Sequence, residues 1–175
     1  MGRGPSSTLY IFFQPNTQAN ALLNWVGTSF GGTIIGSPTF VSNRGFKGAV
    51  GAAINTGFIP STAGGHYSLS SGAIGYYSLT SRTTFGTIAE MGAQAGARTQ
   101  LAVGWSGGVG FYDINDTSGA SGAVANAQGF WITSRTAASG AAAIGFYHNG
   151  SATPVATATA ASTSLTSEAL YSLRE

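Results

Sequence analysis

Five carboxylates are spread along the chain, at Glu90, Asp113, Asp116, Glu168 and Glu175. Glycoside hydrolysis needs two of them flanking the scissile bond. No pair here has that form. Glu90 stands alone, and Asp113 and Asp116, three apart in a strand-forming segment, are expected on opposite faces of the strand. The acids therefore read as solvated or turn-forming. Asp113, Asn115 and Asp116 offer oxygens of the kind Ca²⁺ takes, but that ion wants ~6–8 of them. The segment reads instead as an Asx-type turn closing a strand. His66 and His148 lie far apart without carboxylate or cysteine support, so they make no metal site; His148 reads as an exposed strand end. No serine sits in a nucleophile pattern. No catalytic residue, metal or cofactor is expected.

The aromatic residues are the better candidates for a binding role. Tyr76, Tyr77, Trp105, Tyr112 and Trp131 are the candidate members of a platform on which a sugar ring could stack. Neighbouring residues of a strand face opposite sides. One of Tyr76 and Tyr77, and one of Phe111 and Tyr112, should therefore point outward. The competing role is filling the core, where each aromatic buries ~150–250 Å². Exposed members that bind no sugar would be interface residues.

These side chains must be positioned by short strands. Thr8–Phe13, Thr33–Ile35, Pro38–Val41 and Ala52–Asn55 are β-rich runs, and His66–Thr80 is a long alternating one. Thr84–Met91 is a further candidate. Gln100–Trp105 and Val109–Ile114 flank a glycine turn at Ser106-Gly107-Gly108, and Phe130–Arg135 and Ala143–His148 flank a small-residue loop. Asn149-Gly150, before a strand at Thr153–Thr159, predicts a two-residue type I′ turn, because both residues tolerate positive φ. Gln18–Val26 has helical spacing of Ala21, Leu22, Trp25 and Val26. Ser37–Thr80 shows no helix, and Leu165–Leu173 reads as strand or frayed helix. Twenty-seven glycines, spread evenly, fit many short strands and tight turns. The expected architecture is all-β, an antiparallel two-sheet β-sandwich, with a flexible arm at 1–7 and a single domain at 8–175.

Charged residues make up 7% of the chain, against ~25% in an ordinary globular protein. The surface must be wetted by Ser, Thr, Asn, Gln and backbone, which suits a protein covered by neighbours or living outside a cell. The cations, Arg3, Arg44, Lys47, Arg82, Arg98, Arg135 and Arg174, are scattered. A nucleic-acid binder concentrates them in a stripe, so no nucleic acid is expected. No apolar span is long enough for membrane insertion. The apolar run near the N-terminus is too short for a signal-peptide core, so an extracellular location is expected to follow lysis or assembly on a particle. There are no cysteines, hence no disulfides.

SPTF, NRGFKG, INTGFIPSTAGG and SSGAIGYYSLTSR, spanning Ser37 to Arg82, resemble the concanavalin A-like lectin/glucanase jelly rolls encoded by phages and prophages. FYHNGS, Phe146 to Ser151, resembles a hairpin these domains share with laminin G-like modules. The similarity runs over about Thr8 to Leu173. It departs at Gly48–Ala53, where such domains often carry an acidic segment, and the acid triplet of the glucanase relatives, Glu-x-Asp-x-x-Glu, has no counterpart. Such domains also continue with another strand past the equivalent of Tyr171, which implies an open edge near the C-terminal run here.

The resemblance implies a non-enzymatic virion component: a capsid decoration, head-fibre or tail-associated protein on a particle surface. Homo-oligomers or contacts with other virion proteins are expected, with the arm and the C-terminal run near them. The alternative is a carbohydrate-binding module for host or environmental glycans; a glycoside hydrolase is disfavoured by the missing acid pair.

Overall fold

A computed structural model describes residues 16–24, 29–63, 65–81, 89–105 and 107–174, without the side chains of Ala89, Glu90, Trp105, Leu173 and Arg174. The expected arm at Met1–Ser7, the expected strand at Thr8–Phe13, Trp25 and positions 84–88 lie outside the described residues.

In chain order the elements are α1 (Gln18–Ala21), β1 (Thr33–Ile35), β2 (Thr39–Val41), β3 (Gly45–Lys47), β4 (Ala53–Asn55), α2 (Pro60–Ala63), β5 (Gly72–Ser78), β6 (Ala89–Ala93), β7 (Arg98–Trp105), β8 (Val109–Asp116), β9 (Ser121–Ala123), β10 (Gly129–Arg135), β11 (Ile144–His148), β12 (Ala156–Ala158) and β13 (Tyr171–Arg174). The described residues are mostly β, and every strand pairing among them is antiparallel. Seven strands form one sheet in the order β1-β4-β13-β6-β7-β8-β9, four form a second in the order β12-β11-β10-β5, and β2 and β3 form a small ribbon.

The two larger sheets pack face to face. Ile74, Trp131, Ile144 and Phe146 from the four-stranded sheet join Leu101, Val103, Tyr112 and Ile114 from the seven-stranded sheet in one core. The strand period produces this directly: in β10, Trp131, Thr133 and Arg135 are buried, whereas Phe130 is exposed and Ile132 and Ser134 are half-buried. Non-directional burial of apolar area is what holds the layers together.

Local chemistry trims several expected elements. The helix expected at Gln18–Val26 is a single turn. The Thr17 hydroxyl caps it, accepting from the Asn20 amide at 3.2 Å, and the Leu22 carbonyl then receives the Gly32 amide at 2.8 Å. The alternating run at His66–Thr80 is strand only from Gly72. Before that, the Tyr67 hydroxyl reaches Thr99 at 2.9 Å, and Ser68 and Ser71 close a tight turn. Pro60 opens a helical turn where none was expected; its preset φ suits the first position of a helix.

The C-terminal run expected at Leu165–Leu173 is strand only from Tyr171, and the place of that strand in the sheet corrects the expectation of an open edge there. β13 is paired to β4 on one side and β6 on the other. Among the described residues the sheet edges are β1, β9, β5 and β12. No helix among them is long and apolar enough to cross a membrane.

Candidate functional site

Strand β8 departs from simple alternation: Tyr112 through Asp116 are all buried. Across the ladder, Gln100 pairs with Asp113, Thr99 with Ile114, and Arg98 with Asp116. Asn115 is thus the extra residue of a bulge, at φ 58°. Asp113 therefore lies opposite Gln100, while the Asp116 side chain meets Arg135 of the other sheet.

Neither acid is solvated. Asp113 accepts from the Ala120 amide at 2.7 Å and the Gln100 side-chain amide at 2.5 Å. Asp116 accepts from the amide and hydroxyl of Ser118 at 2.9 and 2.8 Å, an Asx turn of the kind the sequence suggested for this segment. Burial, with a further contribution from the charge of Asp116, pushes the Asp113 carboxyl up to about 7. The Ala120 amide, Gln100 and Arg98 oppose the shift.

Arg135 enters this region from the other sheet. Its Nε donates to the Ile114 carbonyl at 2.6 Å, one terminal nitrogen donates to the carbonyls of Ala137, Ala138 and Ala160, and the other meets Asp116 at 3.5 Å. Asn115 completes the assembly. Its amide nitrogen donates to the carbonyls of Ser68 and Leu69, and its amide oxygen accepts from Thr99 and Tyr67 at 3.2 Å each. Burial raises the Tyr67 hydroxyl to about 12. Every carboxylate oxygen of the two acids already has an internal donor. The oxygens of Asp113, Asn115 and Asp116 serve different partners, and among the described residues no group of three or more His, Cys, Asp or Glu could hold a metal ion. The cluster joins β7, β8, β10 and two loops; its chemistry is that of a buried fastening. Glu168 caps a turn elsewhere, accepting from the amides of Gln94 and Ala95. The Glu90 side chain lies outside the described residues.

The proposed aromatic platform divides. Tyr112 and Trp131 are 1% and 2% exposed, so neither offers a ring face to a sugar. They belong to a stacked column: Tyr112 on Phe146 at 4.8 Å, Phe146 on Trp131 at 4.7 Å, and Trp131 on His148 at 3.9 Å between ring centroids. His148 is thus half-buried against Trp131, with Nε2 2.8 Å from the Gln128 carbonyl, and is not a free strand end. Tyr76 packs against the core. The Trp105 side chain lies outside the described residues. Tyr77 is 47% exposed.

Tyr77 has a neighbour outside the expected platform. Phe130, 39% exposed, stands directly opposite it on β10. The alternation applied to Tyr76 and Tyr77 also applies to Phe130 and Trp131, and it would have pointed Phe130 outward. In the next outward-facing row, Ile132 lies between Gly75 and Tyr147. A Cβ at Gly145 would stand 2.5 Å from the Tyr147 ring, and one at Gly75 would stand 2.8 Å from Ile132. The two side chains therefore lie down over glycines, and the outer face of the four-stranded sheet is flat.

Asn149 and Gly150 both have positive φ, 51° and 73°, and the Ser151 amide donates to the His148 carbonyl at 3.1 Å. These are marks of the expected turn. It opens a longer loop, because β12 pairs with β11 only from Phe146 back to Ile144. The Asn149 side chain accepts the Phe130 amide at 2.9 Å and so ties this turn to the aromatic face. An open groove of about 400 Å³ lies between Ser118–Ser121 and Thr157–Ala160.

No protein-family model, curated protein or solved structure matches this chain.

Proposed function

We propose that this chain is a non-catalytic structural protein of a bacteriophage virion, a capsid decoration, head-fibre or tail-associated subunit, built on a concanavalin A-like jelly roll. The resemblance of Ser37–Arg82 and Phe146–Ser151 to phage-encoded domains motivates the reading. Two packed antiparallel sheets suit such a fold. The observation that carries the functional part is where the chemistry-bearing groups sit. Asp113, Asp116 and Arg135 are consumed inside the fold, while the outer face of the four-stranded sheet offers aromatic and small uncharged residues. With these three groups occupied inside the fold, they are poorly placed for acid–base chemistry, and the uncharged face suits contact with neighbours.

A carbohydrate-binding module is the second reading, favoured by the exposed Tyr77–Phe130 pair. Co-purification with phage particles at fixed stoichiometry tests the first reading. Retention on insoluble polysaccharide, lost in Tyr77→Ala, tests the second. Sugar release from a panel of β-glucans by the wild-type chain, abolished in Asp113→Asn, would overturn both in favour of a hydrolase.

A further inference from the structure

We propose that the groove between Ser118–Ser121 and Thr157–Ala160 binds a sugar ring bearing a carboxylate, a uronic acid unit of an acidic polysaccharide, with Arg98 as the partner of that carboxylate. The inference rests on the carbohydrate-binding reading above. It gives that reading a ligand class and a site that shares no residue with the Tyr77–Phe130 pair. Three observations carry it.

The first is a cation without a partner. Arg98 is half-buried, and its guanidinium makes no hydrogen bond or ion pair with any described residue. It lies against Gly119, a wall residue of the groove: a Cβ built there would stand 2.8 Å from one of its terminal nitrogens. Asp113 and Asp116 are near, but their oxygens serve Ala120, Gln100, Ser118 and Arg135 instead. A charge taken partly out of water and left unpaired is costly. The flat fork of a guanidinium matches a carboxylate through two parallel hydrogen bonds.

The second is the lining. Ser121, Thr157 and Thr159 line the groove, are exposed, and have hydroxyls without a partner among the described residues. A hydroxyl both donates and accepts, which is what the hydroxyls of a sugar ring require. Gly119, Ala120, Ala158 and Ala160 keep the rest of the wall low. The space of about 400 Å³ falls within the ~300–1,000 Å³ of small-ligand sites.

The third is how little the flanking edges offer a peptide. The groove is flanked by β9 and β12, edge strands of the two larger sheets. An extended peptide would add to such an edge through a row of free backbone groups. Each of these strands is three residues long, and the Thr157 carbonyl already accepts from the Tyr112 hydroxyl at 3.2 Å. A sugar needs no such row, only side-chain hydroxyls and one charge.

The test is titration of the full chain, followed by calorimetry, with trigalacturonate, maltotriose and a hexaglutamate peptide as separate ligands. Trigalacturonate should bind, and maltotriose should bind about tenfold more weakly or less, for want of the charge-assisted contact. Arg98→Gln should weaken trigalacturonate binding by a similar factor. Ser121→Asp sets a negative charge in the groove at an exposed position that bonds to neither buried acid. It should do the same, and it keeps the test open if Arg98→Gln disturbs folding. No binding of trigalacturonate at millimolar concentration, equal affinity for maltotriose, or unchanged affinity in either folded variant would overturn the proposal. So would hexaglutamate binding as tightly, which would give the groove to an acidic peptide. Tyr77→Ala should leave trigalacturonate binding intact. Binding lost in Tyr77→Ala and kept in Ser121→Asp would give the sugar to the aromatic face, so this proposal would fall while the carbohydrate-binding reading stood.

Discussion

The guanidinium of Arg135 and the carboxylate of Asp116 meet at 3.5 Å with both side chains shut off from solvent, and they come from opposite sheets. The pair ties the sheets together where hydrophobic contact alone would leave buried backbone carbonyls bare. Arg135 also donates to four carbonyls, those of Ile114, Ala137, Ala138 and Ala160. Removing it strands an acid and several acceptors at once. Arg135→Ala should therefore lower unfolding stability by about 3–5 kcal/mol, the usual cost of breaking one side of a buried pair. Chemical denaturation measures this; a loss under about 1 kcal/mol would mean that water or a shifted loop satisfies the cluster.

Asp113 gives the fold a pH dependence of defined sign. Its pKa is about 7 in the folded chain against an ordinary value of 3.8, and burial is the main cause. Between these values the folded state binds the proton more tightly than the unfolded state does, so stability rises as pH falls. This contribution is fully present below the ordinary value and is lost as pH rises through about 7. The melting temperature should rise as pH is lowered from above neutrality toward 5, and Asp113→Asn should flatten the profile. A profile equally steep in the variant would assign the dependence to another group.

The turn at Asn149-Gly150 allows a local test. A Cβ at Gly150 meets no atom within 4 Å, so substitution there probes backbone conformation and not crowding. At φ 73°, Gly150→Val should cost roughly 1–2 kcal/mol. The Asn149 side chain holds the Phe130 amide, so the damage should also reach the aromatic face. Hydrogen exchange at Phe130 reads that coupling; an unchanged melting temperature would deny the strain.

Strands with clean alternation or glycine turns were legible from the sequence. β7 and β8 fall about the expected glycine turn, and β10 and β11 fall on the two runs expected to flank the small-residue loop. The acid cluster was not legible, for a physical reason: one residue in left-handed conformation, Asn115, resets the phase of β8, and no local pattern announces a bulge. Arg135 is a similar case. A lone arginine in a strand reads as solvent-facing, and only the opposing sheet supplies the carbonyls that let it be buried. The aromatic face was half legible. Alternation sends one of Tyr76 and Tyr77 outward, and Phe130 obeys the same rule beside Trp131. The flatness of that face depends on Gly75 and Gly145, whose role appears only once Ile132 and Tyr147 are placed over them.

The measurement that bears most directly on the virion reading is quantitative mass spectrometry of density-purified particles released from cells that express the chain. The account predicts the chain in a fixed multiple of a known capsid or tail protein, retained through high-salt washing because so few charges are available for its contacts. A chain absent from the particles, or present in trace amounts that wash away, would contradict it.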